Sequence, residues 1–248
     1  ISPDSPAVRK IPPVHYAVLT GLLNRCSRLM LSNVRLSSTR KYGETTSLLD
    51  RSISESAVKI QWLCYKNNTE SFVRYAADSL SQDFILKKQI AGNIANRNGV
   101  ILEIEQRMLN SIDKCIELSE LSEQDINDAK RLPNFYSMCN DLKLGDLFYT
   151  AIQRMGSHAV HGTWSELVAN YLRYENGKFH LRDHEIDTQD VQFIVAIRLV
   201  LGAMKYFLKY IITDVSVISD FVSAIESIDE EIVKIQHIAW ASDFSVSS

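Results

Sequence analysis

Glycine and proline are scarce, nine and five in 248 residues. A many-stranded sandwich or barrel needs more turn-formers than that, and Leu, Ile, Ser, Glu, Lys and Arg recur at helical spacing, so the chain reads as mainly α. Cysteine is sparse too. Cys26, Cys64, Cys115 and Cys139 lie far apart with no C-x-x-C pair and no secretory leader, which points to reduced thiols filling a core in a cytoplasmic protein, not to a disulfide framework. No uncharged apolar run reaches the roughly 20 residues needed to span a bilayer, because Arg198, Lys205 and Lys209 interrupt the most apolar segment. No membrane partner is expected. Neither G-x-x-x-x-G-K-[ST] nor G-x-G-x-x-G occurs, so no nucleotide cofactor is expected, and no Glu-x-x-His pair offers the ligands of a di-iron bundle. The sequence begins at Ile1 and not at methionine; we expect the native start, and any targeting signal, to lie outside it.

What is present suits a large core. The chain is 46% apolar, and we read residues 1–13 as an extended lead-in and 14–248 as a single helical domain with a sub-boundary near 119–134. The net charge of −3 argues against a general polyanion-binding surface, yet it is unevenly spread. Residues 1–75 carry eleven Lys/Arg against five Asp/Glu, and residues 183–248 carry four against eleven. Terminal helices of opposite charge suit packing or pairing between subunits, so a homo-oligomer or protein partner is expected, and the basic end is compatible with RNA.

The prolines of the lead-in cannot hold a helix, and apolar spacing predicts a first helix over 14–36 and a second over about 46–65. Thr69 is a plausible cap for a third. A long helical stretch over 81–118 loosens around Asn98 and Gly99, Ser122 heads a capping run, and Pro133 closes the short helix that follows. The one strand signal, "YLRYENGKFHLR", alternates around Asn176-Gly177 and predicts a small β-hairpin near residues 171–182. From about Asp187 two long helices follow, the first of which we expect to be the central core helix. The fold class is thus a mainly α multi-helix bundle with long C-terminal helices and one hairpin.

The chemistry concentrates in "AIQRMGSHAVHGTW", residues 151–164. Helical spacing places Arg154, Ser157, His158 and His161 along one stripe ended by Gly162. A cation, a hydroxyl and titratable imidazoles are the groups that phosphodiester chemistry uses, and they equally suit histidines that cap carbonyls near a helix end. In "LLDRSISESAVKIQWL", Arg51 and Glu55 share a face four apart amid abundant apolar residues. If buried they need partners, and we expect the two helices to face each other with Glu55 orienting His161 or His158. His180 and His184 with Asp183 and Asp187 read as solvated residues, so no metal is expected, and Trp62, Tyr65, Phe148, Tyr149 and Trp164 read as core.

The segments Arg51-Ser52-Ile53-Ser54-Glu55 and Ser157-His158-Ala159-Val160-His161-Gly162 resemble the R-S-x-x-E and S-x-x-x-H-G motifs of a widespread bacterial family of uncharacterised helical proteins, over about residues 45–165. That resemblance implies Arg51, Glu55, Ser157 and His161 as the shared polar set. The second segment also resembles the HEPN superfamily, compact helical bundles that include metal-independent ribonucleases of toxin and phage-defence systems. Their motif is an arginine with a histidine five to seven positions on, as in Arg154 and His161, although Met155 stands where a polar residue is usual. It implies His161 as acid/base and Arg154 as phosphate stabiliser in a composite homodimer site, without metal or cofactor. Two expectations therefore stand: an interaction or sensor component of a bacterial defence or toxin–antitoxin-like system, or a HEPN-like endoribonuclease using Arg154, His161 and His158.

Overall fold

A computed structural model describes residues 7–39, 41–146, 148–150, 152, 160–182, 187–188 and 190–245. The protein is mainly α. In chain order the elements are α1 (Pro13–Ser37), α2 (Gly43–Lys66), α3 (Thr69–Asn96), α4 (Glu103–Ser119), α5 (Glu123–Asp128), α6 (Phe135–Asp141), a single turn α7 (Trp164–Glu166) running into a π turn (Leu167–Tyr171), the strands β1 (Leu172–Glu175) and β2 (Lys178–Leu181), and the long helices α8 (Asp190–Ile211) and α9 (Val215–Ser245). Two compact units result, one made of 1–10, 19–65 and 135–248, the other of 11–18 and 66–134.

In the first unit, α1 presents Leu19, Leu22, Cys26 and Asn33 as a buried stripe with steps of three, four and seven residues, the spacing of one helical face. α2 is buried nearly all round from Ile53 to Cys64, with Ser54, Ser56 and Gln61 among its apolar residues. The sequence pointed to the first of the two long C-terminal helices, residues 190–213, as the central core helix. Much of α8 is indeed buried, but α2 carries the more continuous buried run, because Ser56 and Gln61, which read as polar, find hydrogen-bond partners inside. Ahead of α1, Val8 bridges Ile212, and Arg9 donates to the Ile211 carbonyl at 2.7 Å, tying the start of the described chain to the end of α8.

The hairpin forms where the alternation predicted it. Asn176 and Gly177 both take positive φ, 52° and 74°, the pair of left-handed residues that a type I′ turn demands. Its register is Leu172↔Leu181, Arg173↔His180, Tyr174↔Phe179 and Glu175↔Lys178.

In the second unit, α3, α4 and α5 close on Ala77, Leu80 and Ile126, with Phe84, Ile116 and Leu121 packed against them. His15 stacks on Phe72 with ring centroids 3.8 Å apart, and burial lowers its pKa. The cap of α3 is Asn68, one residue before the expected Thr69, its side chain accepting from the Ser71 N–H at 2.9 Å. Ser122 and Asp125 make the reciprocal box that the sequence announced for α5. Asn98 and Gly99 both turn left-handed between α3 and α4. Cys26, Cys64 and Cys139 are buried, while Cys115 is exposed and fills no core. Among the described residues no helix is long and apolar enough to cross a membrane.

Candidate functional site

Two features of the first unit carry chemistry: a polar seam between α1 and α2, and the hairpin. The seam is built by the α1 stripe. Seven residues after Cys26 the stripe reaches Asn33, which is fully buried and donates from Nδ2 to Oδ1 of Asp50 at 2.5 Å. Ser37, one turn on, donates to Asn33 Oδ1 at 3.2 Å. Arg25 donates to the Ser56 hydroxyl at 3.2 Å, and that hydroxyl donates back to the Ser52 carbonyl at 2.7 Å. Burial pushes the Asp50 carboxyl up to about 6, against the Asn33 hydrogen bond, which works the other way. Its second oxygen, Oδ2, is buried without a hydrogen-bond partner. An uncompensated carboxylate oxygen in a dry site is costly, which is why the proton is held more tightly.

Arg51 and Glu55 are found as a pair, Nε to Oε1 at 2.9 Å. Arg51 is the more covered of the two, and its Nη1 is buried with no partner. Glu55 spends its near hydrogen bond on Arg51 and makes none to His161. His161 is exposed, immediately before Gly162, whose φ of +54° ends the helical segment. Thr163 then caps α7, accepting from the Glu166 N–H at 3.4 Å. Arg154, Ser157 and His158 lie outside the described residues, as do Asp183 and His184. Among the described residues no cluster of His, Cys, Asp or Glu could hold a metal ion.

Sequence reasoning missed Asn33 and Asp50. One signal was available for Asn33, an amide on an otherwise apolar stripe, but nothing local marks Asp50 as its partner. Gln61 and Gly202 were missed too. Gln61 donates to the Leu199 carbonyl at 3.1 Å, and a Cβ at Gly202 would sit 3.3 Å from its Nε2, so glycine is what lets the amide lie across α8. Next to it runs a groove of about 580 Å³ lined by Phe148, Leu201, Lys205 and the Arg198–Asp229 pair. Arg198 grips Asp229 with two nitrogens, at 2.7 and 3.2 Å.

The hairpin inverts this economy. Strand alternation puts Leu172, Tyr174, Phe179 and Leu181 on one face and Arg173, Glu175, Lys178 and His180 on the other. Tyr174 is 63% exposed, Phe179 52% and Leu181 73%. Trp164, expected in the core, is 61% exposed and meets Phe179 edge-on at 5.4 Å between centroids. Tyr174 tilts onto the same ring at 4.8 Å. Tyr65 is likewise exposed, whereas Trp62 is core as expected.

A model of one family of unknown function, DUF5677, matches residues 16–179. The chain belongs to that family. The DUF5677 match runs from the first turn of α1 to Phe179, so it takes in the whole polar seam and all of the hairpin aromatic cluster except Leu181. No curated protein and no solved structure matches the chain.

Proposed function

We propose that this DUF5677 protein is an interaction or sensor component of a bacterial defence or toxin–antitoxin-like system, working by binding a protein partner. The observation that carries the reading is the apolar face of the hairpin, where Trp164, Tyr174, Phe179 and Leu181 all stand more than half exposed. A two-stranded hairpin is marginal in water unless something covers its apolar face, and clustered exposed aromatics are the composition of a binding hot spot. The polar seam supports the same reading from the other side. Asn33 with Asp50, Arg25 with Ser56, and Arg51 with Glu55 hydrogen-bond one another, as an internal framework does, although Asp50 Oδ2 and Arg51 Nη1 stay unpartnered.

The test is to replace Tyr174 by a photo-crosslinking phenylalanine analogue in cells of the native host. A discrete adduct is expected, with none from the same group at Arg107, an exposed position on α4. Absence of an adduct at Tyr174 would sink the interaction reading.

One observation favours the second reading. His161 is exposed, and among the described residues no hydrogen bond engages its ring; on this reading it acts as acid and base on a ribose 2′-hydroxyl, with Arg154 stabilising phosphate charge across a homodimer and no metal. Total RNA and tRNA incubated with the protein in EDTA decide it. Cleavage that disappears in an equally stable Arg154→Ala/His161→Ala variant makes the protein a HEPN-like ribonuclease; intact RNA retires that reading.

A further inference from the structure

We infer that the partner of the hairpin is a second copy of this chain, paired β1 to β1 in antiparallel fashion about a two-fold axis through Tyr174; this rests on the interaction reading above. The backbone restricts the register first. The Arg182 N–H donates to the Tyr171 carbonyl at 2.9 Å, one step beyond the Leu172↔Leu181 pair. Alternation along an antiparallel ladder then turns the N–H and C=O of Arg173 and Glu175 toward β2 and those of Tyr174 away from it. The Leu172 N–H is spent on Leu167 in the π turn. Among the described residues nothing pairs with the outer edge of β1. Two copies of this edge can pair only with outward residues opposite outward residues, so the axis passes through a residue and never between two.

Charge then selects among the three possible centres. Centring on Arg173 sets arginine against arginine, and centring on Glu175 sets glutamate against glutamate. Centring on Tyr174 sets Arg173 of each copy opposite Glu175 of the other, twice, while the two Tyr174 residues exchange both backbone hydrogen bonds. Arg173 and Glu175 then fall at non-hydrogen-bonded positions, where cross-strand side chains come closest. Within one chain the two make only a loose contact of 4.0 Å and stay about half exposed, so both are available to a partner. The outer edge of β2 offers no such match. Its self-pairings set Lys178, His180 or Arg182 against one another in every register.

The product is a four-stranded antiparallel sheet, past the size at which a sheet stands on its own. On its apolar face the aromatics run Phe179, Tyr174, Tyr174, Phe179 across the axis, so each Tyr174 gains a second ring beside it and the apolar strip is continuous across the two copies.

Sedimentation velocity on the full chain tests this with Arg173→Glu, Glu175→Arg and the double exchange. We expect a wild-type dimer, a dimer weakened about tenfold by either single reversal, since each creates two like-charged pairs, and recovery in the double exchange. Unchanged melting of these exposed-site variants separates loss of pairing from loss of fold. A dimer indifferent to both single reversals, or a double exchange that stays monomeric, overturns the pairing. A monomeric wild type also overturns it; if Tyr174 still gives an adduct to another protein, the interaction reading survives alone, and with no adduct both fall.

Discussion

Two places in the same unit, the α1–α2 seam and the hairpin, handle polar and apolar groups in opposite ways. The seam buries an amide, a carboxyl and hydroxyls among aliphatic side chains, whereas the hairpin holds three aromatics and a leucine out in solvent. Neither arrangement follows from hydropathy. In the seam a polar group is tolerated because a partner sits within hydrogen-bond reach on the next helix; at the hairpin apolar groups stay outside because, among the described residues, no second layer covers the two four-residue strands. Polar residues inside tie the two helices of the seam together, and the apolar residues outside are the surface to which we assign the proposed partner.

The sharpest way to break the comparison sets a core aromatic of α2 against an aromatic of the hairpin. Trp62 is 1% exposed and donates from Nε1 to Asp141 at 2.7 Å, so Trp62→Ala should cost about 3–5 kcal/mol in urea unfolding. A loss below about 1 kcal/mol would show that this core is looser than its burial implies. Next comes the seam itself. Asn33→Ala strips the hydrogen bond that Asp50 Oδ1 accepts, beside an Oδ2 already buried without a partner, and should cost about 1–3 kcal/mol.

A smaller effect is set by pH. The Asp50 carboxyl titrates near 6 when folded, against a usual value of 3.8, so the folded chain binds this proton more tightly than the unfolded one. Its contribution to stability is therefore present below about pH 4 and is lost as pH rises through 6. Asp50→Asn keeps an acceptor for Asn33 and carries no charge; it should raise Tm by a few degrees at pH 7–8 and leave it unchanged at pH 4. An equal shift at both pH values would mean that the carboxyl does not titrate there. The smallest effect belongs to the hairpin. Phe179→Ala should stay within about 0.5 kcal/mol of wild type in monomer stability, and a loss above 2 would mean that the aromatic face is already packed within one chain.

Local features were legible because their causes are local. The type I′ turn is written in Asn176-Gly177, the α5 cap in Ser122 and Asp125, and the first helix in apolar residues repeating every three or four positions. The α3 cap was missed by one residue because Asn68 and Thr69 are both competent caps, and only the backbone shows that Asn68 takes the extended conformation. The stripe that drew most notice in the sequence is only partly described: His161 is in the open, and its neighbours Arg154, Ser157 and His158 fall outside the described residues. Trp164 misled because aromatic character says how much surface a side chain has to bury, and not whether a neighbour is there to bury it.

By itself the sequence determined the periods: where helices run, where the two strands turn back, and which side chains share a face, including the alternation that makes one side of the hairpin aromatic and the other charged. Only the tertiary structure decided that Asn33 meets Asp50, that a buried carboxyl holds its proton toward neutral pH, that α2 is enclosed on nearly every side, and that Trp62 is covered while Trp164 is not. The periods follow from bond geometry repeated residue by residue. The rest depends on which distant surfaces come together, and a partner 17 residues away, as for Asn33 and Asp50, or 79 away, as for Trp62 and Asp141, leaves no mark on the local pattern.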